Sequence, residues 1–190
     1  SLMGVILVKI LQIGLGGFGR NHVEAWARMG MADSLYIADL RPEAFNLLSR
    51  YQIPPEHFSN DLEQFLDDVE IVDIVTPSDS HFQLCQTAIN AGKDVFVEKP
   101  ITVKTEEAEE LARLVIESEK ILQVGYYYRF HPISRFIKEK IDTGALGDIR
   151  YIAGNFLGFK RARNDVGVTH TDAIHFFDLY NWFLGPAEKV

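Results

Sequence analysis

The sequence predicts a doubly wound α/β domain followed by the opening of a second, α+β domain. Short β-branched runs alternate with stretches of helical periodicity over the first 124 residues. Most of those runs are apolar on both faces, as strands of a parallel sheet covered by helices on both sides must be. A glycine-rich turn lies between the first run and the first helical stretch.

In chain order, strands are predicted at Val8–Ile13, Leu35–Ala38, Ile71–Val75, Val95–Val97 and Ile121–Val124. Helices are predicted near Gly19–Met29, Pro42–Arg50, Asp61–Leu66, Ser80–Ala91 and Thr105–Ser118. The first domain is placed at residues 3–124 and the second at 125–190. Beyond Gly125 the expected elements are a helix at Pro132–Ile141, a long strand from Ile149 to about Phe156 and a cationic loop from Lys160 to Thr169. A helix follows at Thr171–Leu184, stopped by Gly185-Pro186. One strand and two helices cannot cover a sheet, so the second domain reads as incomplete and the 190 residues as part of a longer chain.

The composition is globular, with 47% hydrophobic and 24% charged residues. A net charge of −8 offers no basic face for nucleic acid. The apolar run Val5–Ile13 is interrupted by Lys9 and Gln12 and is too short to span a bilayer. The single cysteine, Cys85, has no internal partner, which fits a reducing cytoplasm. Ser1 and Leu2, ahead of Met3, read as a cloning remnant.

The turn Ile13-Gly14-Leu15-Gly16-Gly17-Phe18-Gly19 carries G-x-G-x-x-G between a strand and a helix. Gly14 permits the tight turn, Gly16 the approach of a pyrophosphate and Gly19 close packing of helix on strand. The helix N terminus faces the phosphates, with Gly17 and Phe18 between. Asp39 ends the second strand, twenty residues after Gly19. A carboxylate there bonds a ribose 2′-hydroxyl and repels a 2′-phosphate, the fingerprint of a Rossmann domain that prefers NAD to NADP. Arg41 tempers that preference, because arginine accepts a 2′-phosphate.

Thr76-Pro77-Ser78-Asp79-Ser80-His81, Ala91-Gly92-Lys93, Glu98-Lys99-Pro100 and Gly125-Tyr126-Tyr127-Tyr128-Arg129-Phe130-His131-Pro132 follow. With the glycine turn, this set resembles the glucose–fructose oxidoreductase / inositol dehydrogenase / MocA family, with its T-P-x-x-x-H, A-G-K, E-K-P and G-x-x-x-R-F-x-P blocks. The resemblance implies an NAD(H)-dependent dehydrogenase or reductase acting on a sugar, cyclitol or nucleotide-linked sugar. It further implies a cis bond before Pro100 and a second domain whose free sheet face supports a homo-oligomer. The candidate cofactor contacts beyond the glycine turn are Asp39, Arg41, Thr76, Pro77, His81 and Glu98; capping is an equal reading of His81, and orientation of Lys99 an open reading of Glu98.

The chemistry is read onto two residues. Lys99 lies past the C-terminal end of a parallel strand, where open α/β sheets bind ligands. Its ammonium can bond a substrate hydroxyl and stabilise growing alkoxide character. His175, flanked three residues away on either side by Asp172 and Asp178, suits a general base. The family's D-x-x-x-H-x-x-D block matches at His175 and Asp178, but Thr171 stands at its first position and Asp172 comes one residue late. His170 is read as sharing that work. Arg129, Arg161 and Arg163 are candidate substrate contacts, the last two with Lys160 for an anionic group.

A metal held by His170, Asp172 and His175 is the lesser reading, since the chain has neither H-E-x-x-H nor C-x-x-C and hydride transfer needs no metal. Two other functions stay open: an NAD- or sugar-sensing regulator, and a reductase of the dihydrodipicolinate or biliverdin type.

Overall fold

The computed structural model describes residues 8–157 and 167–188. The chain divides into two compact units, Ser1–Val124 and Gly125–Val190. No helix among the described residues is long and apolar enough to cross a membrane.

Unit 1 is built on a six-stranded sheet: β1 (Ile10–Ile13), β2 (Leu35–Ala38), β3 (Phe58–Ser59), β4 (Ile71–Ile74), β5 (Asp94–Val97) and β6 (Leu122–Val124). The order is β3-β2-β1-β4-β5-β6, and every neighbouring pair is parallel. Parallel neighbours need crossovers, supplied in part by α1 (Gly19–Arg28), α2 (His81–Asn90) and α3 (Thr105–Ser118). The order reverses between β1 and β4, and a crevice opens at such a point.

Alternation along each strand sorts the apolar residues into two cores. Leu11, Ile13, Val72, Ile74, Val95 and Val97 join one, with Cys85, Ala88 and Ile89 of α2 and Leu111 of α3. Ile10, Leu35 and Ile37 join the other with Val23 of α1. Burial pushes the Cys85 thiol up to about 12, so it packs as a small apolar group.

Two predicted helices of unit 1 are instead 3₁₀ segments, Pro42–Tyr51 and Glu63–Asp68. The buried Ala44, Leu48 and Tyr51 keep a one-sided spacing. Apolar spacing does not distinguish i→i+3 from i→i+4 bonding, so the sequence located the segment without its hydrogen-bond pattern. β3 was missed because two residues carry no periodicity.

Unit 2 contains α4 (Pro132–Asp142) and α5 (Ile174–Leu184). Pro132 occupies the first turn of α4, and the His131 ring accepts a hydrogen bond from the Ile133 N–H. The strand expected from Ile149 to Phe156 is not formed. Its β-branched and aromatic residues suit a strand, but a strand exists only through a ladder to a neighbour. The described residues of unit 2 supply no such neighbour, and Tyr151 and Leu157 are exposed. The final helix also starts differently, with a π turn at Thr169–Ala173 preceding α5. Lys160, Arg161 and Arg163 lie outside the described residues.

Candidate functional site

The glycine turn closes the end of β1 onto α1. Gly14 has φ +98°, and a Cβ there would lie 2.6 Å from the Val75 carbonyl oxygen. A Cβ on Gly19 would fall on the Gly14 carbonyl oxygen, backbone against backbone. Gly16 and Gly17 are different: nothing lies within 4 Å of a Cβ built on either. Their missing side chains keep space open on the outside of the turn, which is what a pyrophosphate needs. The N terminus of α1 has no side-chain cap. A residue that sequence reasoning missed braces the turn from below: buried Gln12 donates from Nε2 to the carbonyls of Gly14 and Gly19, each at 2.9 Å.

These glycines separate folding from binding. Gly19→Ala should destabilise unit 1 by about 1–3 kcal/mol or more, because two backbone segments must move apart. Gly16→Ala should change stability by less than about 0.5 kcal/mol, as an exposed substitution does, yet weaken NAD(H) binding about tenfold or more by filling the cradle. Thermal melts with NADH fluorescence titrations check both. Unchanged binding by Gly16→Ala would remove that glycine from the cradle.

A cavity of about 610 Å³ opens beside the turn, lined among others by Gly14, Gly16, Asp39, Arg41, Thr76 and Pro77. These six positions come in pairs from the three segments that follow β1, β2 and β4, so the sheet topology assembles them. Asp39 is buried and accepts from the Leu15 N–H at 2.7 Å. Arg41 closes over it, donating from its backbone N–H at 2.9 Å, from Nε at 3.0 Å and from Nη2 at 2.8 Å. Burial alone would raise the Asp39 pKa, but the bonds from Arg41 and Leu15 outweigh it and hold the carboxyl below its usual range. Asn60 Nδ2 adds a bond to the Asp39 carbonyl at 2.6 Å. These residues fit a dinucleotide: open glycines for the phosphates and an ionised carboxylate at the ribose end. Phe18 is about half exposed above the helix start, its ring edge-on to His22.

At the far side of the crevice, β5 ends in Val97 and runs into Glu98, Lys99 and Pro100, joined by a cis Lys99–Pro100 bond. Lys99 is half-buried. Glu98 and His81, read as candidate cofactor contacts, are placed otherwise. Glu98 is buried; its Oε1 lies 3.2 Å from His22 Nε2, and its Oε2 accepts the Lys99 N–H at 3.2 Å. His81 is 1% exposed, with Nδ1 2.7 Å from the Pro100 carbonyl and Nε2 3.0 Å from the Thr76 carbonyl. It has no surface for a ligand and makes no side-chain cap to α2. It ties the Thr76 turn to the Lys99–Pro100 turn.

In unit 2, His175 is buried on α5, with the rings of Tyr127 and Tyr128 set edge-on at 5.3 and 4.9 Å. Asp178, expected beside it as a tuning acid, is committed elsewhere. Its carboxylate receives Arg129 Nε at 2.8 and 2.9 Å and Nη2 at 2.6 Å. The Arg129 guanidinium also lies over the Trp182 ring at 5.8 Å. That pairing raises the arginine pKa further and braces the Tyr127–Phe130 turn against α5. Asp172 and Thr171 both lie in the π turn. The Thr171 hydroxyl donates to the Gly167 carbonyl at 2.9 Å, a use of the side chain that an aspartate could not share. The π turn also removes the α-helical phase on which the three-residue spacing of Asp172 and His175 was reckoned. His170 is exposed.

Comparison with known proteins agrees with this geometry. Residues 8–126 match a family described as the oxidoreductase family with NAD-binding Rossmann fold. The chain is 29% identical to the UDP-N-acetylglucosamine 3-dehydrogenase of Acidithiobacillus ferrooxidans over 94% of its own length and 54% of that protein. It is 33% identical to the NAD(+) scyllo-inositol 2-dehydrogenase of Bacillus subtilis over 68% of itself and 40% of that protein. Among solved structures, apo scyllo-inositol dehydrogenase from Lactobacillus casei superposes with a TM-score of 0.77 at 26% identity, covering 94% of this chain and 55% of that one. Levoglucosan dehydrogenase in complex with NADH and levoglucosan gives 0.77 at 25%, covering 94% and 54%. The chain thus spans about half the length of these relatives. The glycine turn, the six parallel strands and the Glu98-Lys99-Pro100 segment all lie within the matched residues, and the chain belongs to the Gfo/Idh/MocA oxidoreductase family and carries that family's NAD-binding Rossmann fold.

Proposed function

We propose that this chain serves an NAD(H)-dependent oxidoreductase that moves a hydride between the nicotinamide and a carbon bearing a hydroxyl or keto group on a sugar, cyclitol or nucleotide sugar. The observation that carries the proposal is Lys99, half-buried at the C-terminal end of β5 with both flanking residues anchored in the protein. A lysine held there fits an electrophilic role better than a solvated surface one. Relatives named as dehydrogenases of UDP-N-acetylglucosamine, inositol and levoglucosan support the substrate class.

In this reading Gly14, Gly16, Gly17 and Gly19 cradle the dinucleotide, and Asp39 takes the adenosine ribose. NAD, when bound, supplies the nicotinamide ring that carries the hydride. Lys99 holds the substrate hydroxyl and stabilises negative charge on its oxygen. His175, desolvated among Tyr127 and Tyr128, accepts the hydroxyl proton. Asp172 is its proposed acidic partner.

The proposal is tested by turnover of a panel of inositols, hexoses and nucleotide sugars with NAD, alongside titration of both cofactors. Activity on a polyol or sugar supports it; binding of NAD with no turnover on any of them favours a sensor. NAD should bind more tightly than NADP, because Asp39 meets the 2′ position with a charge. Asp39→Ala should narrow the gap from both directions, removing the repulsion and releasing Arg41, now forked onto Asp39, to meet a 2′-phosphate. Equal or tighter binding of NADP by the unaltered protein would overturn the preference.

A further inference from the structure

Asp73 sits in the middle of β4 between Val72 and Ile74, and it is 0% exposed. A carboxylate in a central apolar strand is costly unless its oxygens are fully engaged. Across the sheet it stands in one row with Gln12 of β1 and Phe96 of β5, on the face that α1 covers. Two residues one turn apart on α1 reach it. Trp26 Nε1 donates at 2.7 Å, and His22 Nδ1 lies 3.1 and 3.0 Å from its two oxygens.

The other ring nitrogen of His22 does not point to solvent. Nε2 lies 3.2 Å from Glu98 Oε1, and Glu98 Oε2 accepts the backbone N–H of Lys99. The rings of Phe18 and Phe96 close on the imidazole at 5.6 and 5.7 Å. Among the described residues, Asp73 from β4 and Glu98 from the end of β5 are the ionisable side chains that bond it. An imidazole between two carboxylates has use for a proton on each nitrogen. Burial works against that charge, but the bonds to Asp73 and Glu98 and their charges prevail and raise the His22 pKa to about 9.

An apolar contact between α1 and the sheet would fold at least as well as this buried charged group. What distinguishes the group is where it ends. Its last bond is to the backbone of Lys99, and on the other side His81 holds the Pro100 carbonyl. We propose that His22 is a positioning residue: anchored by Asp73, it fixes the Glu98 carboxylate, and through Glu98 it sets the backbone of Lys99. The proposal rests on the reading of Lys99 as the residue that holds the substrate hydroxyl. It makes His22, three residues past the last glycine of the turn, part of the substrate end of the site as well as of the helix that faces the cofactor.

The test uses ¹⁵N-labelled protein and follows the Lys99 amide resonance from pH 6 to 10. In the unaltered protein that resonance should shift with a midpoint near pH 9, and the titration should vanish in His22→Gln. The same variant should lower kcat about tenfold to a hundredfold, the scale of a small misplacement of a reacting group, while the KM for NAD stays within about twofold. If His22→Gln does not fold, Glu98→Ala breaks the connection from its other end and must abolish the amide titration. A Lys99 amide that does not titrate, that titrates unchanged in His22→Gln, or an unchanged kcat in a folded His22→Gln would each overturn the proposal. Normal turnover by Lys99→Met would instead overturn the reading on which it rests. The two failures are told apart because the amide titration needs neither substrate nor cofactor.

Discussion

Replacing Lys99 with methionine should lower turnover about 10²–10⁴-fold, the usual loss when a positioned acid–base or electrophilic group is removed. Methionine keeps the length and the unbranched stem but has no donor. The Glu98–Lys99 backbone contact and the Pro100 carbonyl contact to His81 do not involve the side chain, so the turn should keep its place. NAD(H) affinity should therefore stay nearly unchanged, because the glycine turn and Asp39 are untouched. His175→Ala should reduce turnover on the same scale, with a cavity beside Tyr127 and Tyr128 as a side effect. Steady-state kinetics and NADH fluorescence on each variant separate chemistry from binding. Near-normal kcat in both variants would take both residues out of the mechanism.

Raising the pH from 6.5 to 9 should remove about 3 kcal/mol of stability from unit 1, an upper figure for a group shifted by this amount. The source is His22, whose pKa rises from its ordinary 6.5 to about 9 in the fold. The folded state binds the proton more tightly than the unfolded chain does. Its stabilisation is therefore complete below pH 6.5 and is lost progressively as the pH climbs through 9. Cys85 works in the same direction, because burial raises its thiol from 9.0 to about 12, but it acts only above the lower value. Urea midpoints measured between pH 6 and 9 thus isolate the histidine. The unaltered protein should lose stability across that interval, and His22→Gln should start lower and vary much less. A flat profile in the unaltered protein would show that His22 is not held charged.

Much of unit 1 was legible in the chain. The glycine turn, Asp39 at the end of β2 and Lys99 at the end of β5 could be placed because each depends on residues close in sequence: a strand, a turn that needs glycine, a helix start. The residues whose protein partners the sequence did not show share another property. His81 was read as a ligand contact or cap because a histidine after T-P-x-x-x shows nothing of the two carbonyls it meets, one of them nineteen residues away. Arg129 was read as a substrate contact because its acid, Asp178, lies 49 residues on. The His22 group was missed, though one signal was present: Asp73 inside the apolar run Ile71-Val72-Asp73-Ile74 demands a buried partner, without naming it.

The sequence by itself determined the alternation of strands and helices, the positions of the backbone-permissive glycines and the chemical inventory at the strand ends. These follow from side-chain periodicity and local sterics, which act over a few residues. Only the tertiary structure decided which charges meet and which segments pair. His22 reaches Asp73 across 51 residues and Glu98 across 76, and the stretch after Ile149 forms no strand among the described residues despite its β-forming side chains. The reason is common to both. A buried ion pair and a β-ladder are satisfied by partners distant in sequence, and the identity of the partner is a property of the assembled sheet and the helices laid across it.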